Sequence, residues 1–488
     1  MNTLQAKLKA ILGKPQVNYF VLLSVTFILT ALGLTMVLSS SMVTSYAQGS
    51  SVFGEFIKQA VVVVLGLIGM WIAMRMRPST VKRYSGLLLG IAFVLLVMVL
   101  IPGIGIGGEE VGSNSWIRVG PIGVQPSEVA KLALAVWGSA QISSRLRLTQ
   151  QFNQALGPFL VVCSMILVLI LAQKDLGMMF TVGIVVLSLL FFAGVSSKLI
   201  ALFLGLIAAL GTMTIARANF RSARITTWLD ALTLHFPETS TQGSAYQSHQ
   251  GILSLSDGGL TGAGLGQSRA KWFYLPEAKN DFIFAIVGEE LGLIGAVAVV
   301  LLFALLGIFG IRTALAQADP FLKMLAATLT VGIVVQAFYN MGYVVGYFPV
   351  TGVQLPLISA GGSSAIITLI SLGLLCSCAR HEPEAISSMQ HEGRPLFDRL
   401  FFLPEPLPYV PGDARRQERR TTTQTYGEPV TRPRVSQDVQ RERRRVDASM
   451  DRMGSRAPRR GYDGVRRQQL PPRGAARRQH EDRNNRRR

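Results

Sequence analysis

The sequence predicts an all-α polytopic membrane protein of about ten transmembrane helices, and three observations carry that prediction. Hydrophobic residues make up 49% of the chain and charged residues only 16%, an excess that fits long stretches facing lipid rather than water. Apolar runs of roughly the 20 residues needed to cross a bilayer core recur along the first four fifths of the chain. Basic residues collect in alternate short loops, as they do where successive spans return the chain to one side of a membrane.

Residues 1–15 carry Lys7, Lys9 and Lys14 and form a short N-terminal segment. The apolar run from Val17 to Leu38 is too long for a signal-peptide core and reads as a retained first helix. Further spans are expected near 56–74, 86–103, 126–143, 157–173, 177–193, 198–215, 282–311, 324–345 and 359–379, which gives a membrane domain over 16–380. Gln173, Lys174 and Asp175 are the only break between the fifth and sixth spans. A large loop, 216–280, separates the seventh from the eighth.

Residues 381–488 differ in kind: they hold 25 Arg, no Lys and 15 acidic residues, about half of the chain's net charge of +20. Polar, proline-bearing and without apolar periodicity, this stretch predicts a disordered tail. Basic sequence appended to a membrane domain points to anionic lipid or an acidic protein partner, not to nucleic acid.

Orientation follows from Arg75, Arg77, Lys82 and Arg83, then Arg145 and Arg147, Lys198, Arg312 and Lys323. All fall on the side of the amino terminus, so both termini are expected to be cytoplasmic in a bacterial inner membrane. The basic 216–280 loop is long enough to be translocated whatever its charge. Arg118, Glu128, Lys131, Asp175, the 216–280 loop, Asp281 and the 346–363 loop then share the outer face.

Several chemistries are unsupported. There is no Walker-type phosphate loop, no H-E-x-x-H and no Ser–His–Asp pattern. Cys163, Cys376 and Cys378 sit in apolar segments without zinc-like spacing to the five histidines, so neither a disulfide framework nor a metal site is expected.

The chain is organised around residues 258–311. Gly258-Gly259, Gly262, Gly264 and Gly266 let backbone come close to a ligand where side chains would obstruct it. Asn280-Asp281, directly before an apolar helix, suits an N-cap. Asp281, Glu289 and Glu290 follow one another there. At about 1.5 Å per residue, Asp281 and Glu289 stand roughly 12 Å apart along a helix, too far to share a proton.

Three other stretches carry candidate binding groups. In N-S-W-I-R-V-G-P-I-G-V-Q-P-S-E-V-A-K (114–131), Glu128 and Lys131 form either an ion pair on one helix face or, with Arg118, part of a phosphate site. Arg217, Arg221 and Arg224 share one stripe if helical, facing headgroups or a pyrophosphate, and Lys271 adds charge nearby. In P-V-T-G-V-Q-L-P-L-I-S-A-G-G-S-S (349–364), Ser359 and Ser363 belong either to a helix entry or to the wall of a wet cavity.

These stretches, with G-G-L-T-G-A-G-L-G-Q-S (258–268) and L-P-E-A-K-N-D-F-I-F-A-I-V-G-E-E-L-G (275–292), resemble the SEDS family (shape, elongation, division, sporulation), and its FtsW branch more than its RodA branch. Coverage runs from about 17 to 380. The resemblance implies a ten-helix peptidoglycan glycosyltransferase that polymerises lipid II at the outer face of the cytoplasmic membrane. Expected partners are a class B penicillin-binding transpeptidase and other division proteins, at the septum. The family's essential aspartate falls on Asp281, with Arg118, Glu128, Lys131, Arg217, Arg221, Arg224, Lys271, Glu290, Ser359 and Ser363 as the expected substrate-binding set. No cofactor is required by this reading, although a divalent cation, Mg or Mn, is compatible with pyrophosphate departure. The rival expectation is a transporter that moves the lipid-linked precursor across the bilayer.

Overall fold

The computed structural model describes residues 13–107, 113–145, 152–216, 228–229 and 244–410, less positions 48, 50, 121, 273, 274 and 276. Arg217, Arg221 and Arg224 therefore lie outside the described residues, as does the Arg-rich sequence beyond 410. Except for Val410, the described residues fall in one compact unit, Met1–Tyr409.

In chain order the elements are α1 (Val17–Ala47), α2 (Gly54–Arg75), α3 (Pro78–Met98), β1 (Gly105–Ile106), β2 (Trp116–Val119), β3 (Ile122–Val124), α4 (Pro126–Arg145), α5 (Phe152–Ala172), α6 (Leu176–Phe192) and α7 (Ser197–Ala216). They continue with α8 (Ser244–Asp257), α9 (Ile283–Ala316), α10 (Pro320–Val344), α11 (Gly362–Arg380), α12 (Pro383–Glu392) and α13 (Leu396–Leu400). Helices α1–α7 and α9–α11 stand where the sequence places its ten spans. Among the described residues six of them, α1, α2, α3, α9, α10 and α11, are long and apolar enough to cross a membrane by length and composition. The apolar runs of α5–α7 are shorter, and α4 carries Glu128, Lys131 and Arg145.

Local signals set the helix ends. Pro78 and Pro320 open α3 and α10, where a proline costs no hydrogen bond and its φ is already helical. Asp319 caps α10 by accepting from the Phe321 amide at 3.0 Å, and Asp175 caps α6 by accepting from the Met178 amide at 2.9 Å. Lys174, at φ 63°, turns the chain sharply between α5 and α6, so the short polar break does separate two helices. Outward faces are apolar, as in Val61, Val64, Leu65, Ile68 and Ile72 of α2 and Leu87, Ile91 and Val94 of α3. Such continuous exposed apolar surface belongs against lipid. Helix α10 is central, packing on α4, α6, α9 and α11.

The structure departs from expectation in three places. First, strands stand between the third and fourth spans: β1, β2 and β3 form an antiparallel sheet in that order, with Arg118 opposite Gly123. β-Branched Ile117, Val119, Ile122 and Val124 on either side of Gly120 (φ 62°) favour this ladder. The fold is thus helical with one small sheet.

Second, α9 is broken at Gly292, whose φ of 68° and ψ of −170° are non-helical. A break at this depth frees backbone groups that need partners. The glycine-rich stretch supplies them: Leu293 N donates to Gly259 O (3.0 Å), Ala263 N to Glu289 O (2.9 Å) and Gly264 N to Glu290 O (3.1 Å). A Cβ on Gly262 (φ 84°) would lie 2.2 Å from Glu290 O. The close approach expected for a ligand is therefore taken by the backbone of α9.

Third, the tail does not begin at 381. Helices α12 and α13 pack onto the bundle, and Asp398 is fully buried between Tyr19 Oη (2.7 Å) and Arg380 (Nη2, 2.7 Å). Asn18 Nδ2 donates to Glu382 (3.0 Å) and Trp71 Nε1 to Phe401 O (2.9 Å). Composition masked this, because the residues that fold here are individually polar and charged but meet complementary groups on α1, α2 and α11.

Candidate active site

One end of the bundle gathers the first turns of α4, α6 and α11, the last turns of α10 and the residues before α9. Its centre is the turn 279–281, three consecutive carbonyls of which are each held from the 353–360 side or from α10. Lys279 O accepts from Ala360 N (2.9 Å) and Asn280 O from Ser359 Oγ (2.7 Å). Asp281 O accepts from Asn340 Nδ2 (2.9 Å), with Tyr343 Oη at 3.1 Å. Asn340 Nδ2 and Tyr343 Oη also reach Val353 O, at 2.7 and 2.6 Å.

The main chain at Asp281 is thus fixed while its side chain stays partly exposed. Gly352, at φ 77°, faces it: a Cβ there would stand 3.5 Å from Asp281 Oδ2. Lys279 Nζ lies 3.4 Å from Glu55 Oε2 on α2, both half-exposed. Asp281 does not cap α9. The helix starts at Ile283 with Phe282 in the N-cap position, and the Phe282 side chain makes no capping bond.

Helix α10 links this turn to the first turn of α4. Gln336, Asn340 and Tyr343 recur at four and three residues, so they share one stripe. Gln336 donates to Gln354 O (3.0 Å) and its Oε1 accepts from Lys131 Nζ. Lys131 in turn pairs with Glu128 at 2.7 Å, both largely buried. Nearby, Gln125 N donates to Ser363 Oγ (2.9 Å) and Gln125 Nε2 to Asp175 Oδ2 (3.1 Å). Desolvation pushes the Asp175 carboxyl above its ordinary range, held back by bonds from the Met178 amide, Gln125 and Ser115, with Glu128 adding repulsion.

The expected binding residues divide accordingly. Arg118 is exposed on β2. Glu128 and Lys131 pair with each other, and Ser359 and Ser363 are buried and bonded to main chain. Lys271 and Glu290 do not line an open surface: their side chains are 2% and 0% exposed and pair at 3.1 Å. Ser39 Oγ donates to Glu290 at 2.6 Å, and Lys271 Nζ donates to Gly266 O. Glu289 accepts from Ser268 Oγ (2.6 Å) and Arg269 N (2.6 Å). This group braces the glycine-rich loop on α9, a structural task that sequence alone did not separate from binding.

Sequence reasoning missed Gln125, Gln336, Asn340 and Tyr343. The signal was available for two of them, since Gln336 and Asn340 are polar side chains within an otherwise apolar span, where such residues usually face a partner or a site. Among the described residues no three His, Cys, Asp or Glu side chains converge as metal ligands.

The model of the FtsW/RodA/SpoVE family, described as cell cycle protein, matches residues 20–384. The chain is 41% identical over 415 residues to the probable peptidoglycan glycosyltransferase FtsW of Mycobacterium tuberculosis, covering 85% of this chain and 78% of that relative. It is 37% identical over 361 residues to stage V sporulation protein E of Bacillus subtilis, covering 74% and 96%. In three dimensions it is similar to the rod shape determining protein RodA of Thermus thermophilus, with a TM-score of 0.54 and 24% identity over 74% of this chain and 96% of the other. A chain from a peptidoglycan synthase complex that coordinates polymerization and crosslinking gives a TM-score of 0.57, also at 24% identity, over 74% and 97%. Those two likenesses bear on the fold. A family match over most of the chain and a relative 41% identical over 415 residues establish that the chain belongs to the FtsW/RodA/SpoVE, or SEDS, family of membrane proteins.

Proposed function

We propose that this protein is an FtsW-like peptidoglycan glycosyltransferase that polymerises lipid II at the outer face of the cytoplasmic membrane, with Asp281 as the general base. The observation that carries this reading is the partly exposed carboxylate on a turn whose carbonyls at 279, 280 and 281 are all held. A base must be placed before it can act, and rigid main chain beneath a partly exposed carboxylate supplies that placement.

In the reaction, Asp281 accepts the proton of the acceptor sugar's 4-hydroxyl. The hydroxyl oxygen forms a bond to the donor's anomeric carbon, and the bond from that carbon to the pyrophosphate oxygen breaks. The undecaprenyl pyrophosphate leaves with the electron pair, and cations stabilise its charge. Arg118 is the exposed cation available for this; Lys279 lies beside the base; Arg217, Arg221 and Arg224 complete the set on sequence grounds. Lys131 is oriented by Glu128 and Gln336 at the edge of the same network. Lys271, Glu290, Ser359 and Ser363 support the site from beneath.

The relatives' names support wall synthesis, and the FtsW-like motifs support a setting at division alongside a class B transpeptidase. The positive-inside pattern supports cytoplasmic termini. A transporter of the same precursor needs binding groups presented to both sides in turn, whereas this polar network gathers at one end. Purified protein given lipid II in detergent decides between them, because detergent leaves no sides to cross. Glycan strands are the expected product; binding of lipid II without any polymer would favour transport.

A further inference from the structure

In the segment 396–407 one charge, Asp398, turns inward, while Arg399 and Glu405 stay exposed beside a set of outward-facing apolar side chains. Asp398 is fully buried against Tyr19 and Arg380, and Arg380 Nη2 also donates to Pro404 O at 2.7 Å. Leu396 and Leu400, four apart on α13, are 81% and 66% exposed, and Phe402 and Leu407 are 76% and 65% exposed. A segment that lies on a bilayer presents its apolar side chains to acyl chains and its exposed charges, here Arg399 and Glu405, to the headgroups.

Its level in the fold agrees. Helix α11 starts beside the Asp281 turn and runs 19 residues to Arg380, about 28 Å at 1.5 Å per residue, so α13 lies at the opposite face of the membrane. Trp71 Nε1 donates to Phe401 O in the last turns of α2, and the Arg75 guanidinium stands 5.3 Å from the Trp71 ring centre. A tryptophan beside an arginine at a helix end marks the headgroup boundary. Phe397 packs on Phe27, 6.2 Å between ring centres, and Phe27 itself belongs to the exposed apolar surface of α1. The apolar face of 396–407 is therefore continuous with the lipid-facing surface of the bundle.

From this geometry we infer that residues 396–407 form an interfacial anchor that lies in the leaflet opposite Asp281, its occupant being lipid acyl chains rather than water or protein. The anchor is tied to α1 and α11 through the Tyr19–Asp398–Arg380 contacts, so the ends of the first and last spans are held at a fixed depth. The inference depends on the membrane fold and not on the glycosyltransferase reading.

The native cysteines are all buried, which allows a spin label at one introduced thiol in the full-length protein. Phe402→Cys and Leu396→Cys replace exposed side chains and leave the buried contacts untouched. The labelled proteins are reconstituted in vesicles of phosphatidylethanolamine and phosphatidylglycerol, with Gln390→Cys on α12 as the water-facing reference. Collisions with molecular oxygen are expected to exceed those with a soluble nickel complex several-fold at 396 and 402, and the order to invert at 390. Dominance of the nickel complex at 396 and 402 would mean a water-facing surface and overturn the anchor. Weak collisions with both reagents would mean that protein, a second copy or another chain, covers the face, and would overturn it equally.

Discussion

Asp281 and the pair Glu289–Glu290 flank the start of the same helix, and the fold uses them in opposite ways. Both glutamates are buried and spend their oxygens on Ser39, Ser268, Arg269 N and Lys271. At Asp281 the main-chain carbonyl accepts from Asn340, and the side chain is partly exposed, with Gly352 facing it. Three carboxylates close in sequence thus separate into one on a partly exposed turn and two that hold the glycine-rich loop. Burial alone would have ranked the glutamates as the special residues. The bonding shows that their burial is already compensated.

The comparison breaks most visibly at the buried pair. Glu290→Gln leaves the Lys271 charge without its counter-ion, and removing one partner of a buried pair costs about 3–5 kcal/mol. Thermal melting in detergent should fall by several degrees, and polymerisation should fall with it. An unchanged melting temperature with lost activity would move Glu290 into the chemistry.

A smaller effect is expected at the clamp. Tyr343→Phe removes the hydroxyl near Asp281 O and Val353 O, worth about 0.5–1.5 kcal/mol as a hydrogen bond. Asn340 still holds both carbonyls, so turnover should drop several-fold rather than vanish, which a lipid II polymerisation rate at matched protein concentration would show. No change in rate would mean that Asn340 alone suffices to place the turn.

Least affected in stability is Arg118→Ala, since exposed charges contribute under about 1 kcal/mol. Its expected signature is weaker substrate handling, read as a raised KM for lipid II, with melting unaltered. Equal losses of stability and turnover would return Arg118 to a structural role in the small sheet.

Much of this was legible in the sequence, and the exceptions have physical causes. Apolar length and loop charge sufficed for the ten spans, and the Gln173–Asp175 break was correctly read as a turn. Asp281 stood out because a polar turn precedes an apolar helix. The roles of Lys271 and Glu290 were not legible, because a lysine and a glutamate 19 residues apart give no sign that a kink at Gly292 will bury them together. The ordered segment beyond Arg380 was hidden for the same reason: Tyr19 and Asp398 are distant in sequence, and local composition cannot show that each completes the other. Gln336 and Asn340 were visible as polar residues in a span, but their targets are main-chain carbonyls, which sequence does not distinguish.

The most direct test of the central claim is the rate of glycan synthesis by Asp281→Asn. Asparagine keeps nearly the volume of the carboxylate and leaves the bonds to carbonyls 279–281 in place, but it cannot take a proton. Loss of a general base costs roughly 10²–10⁴ in rate. The account predicts a protein that melts as the native one does, still binds lipid II, and polymerises it at under about one hundredth of the native rate. Near-native polymerisation by that variant would contradict the assignment of Asp281 as the base.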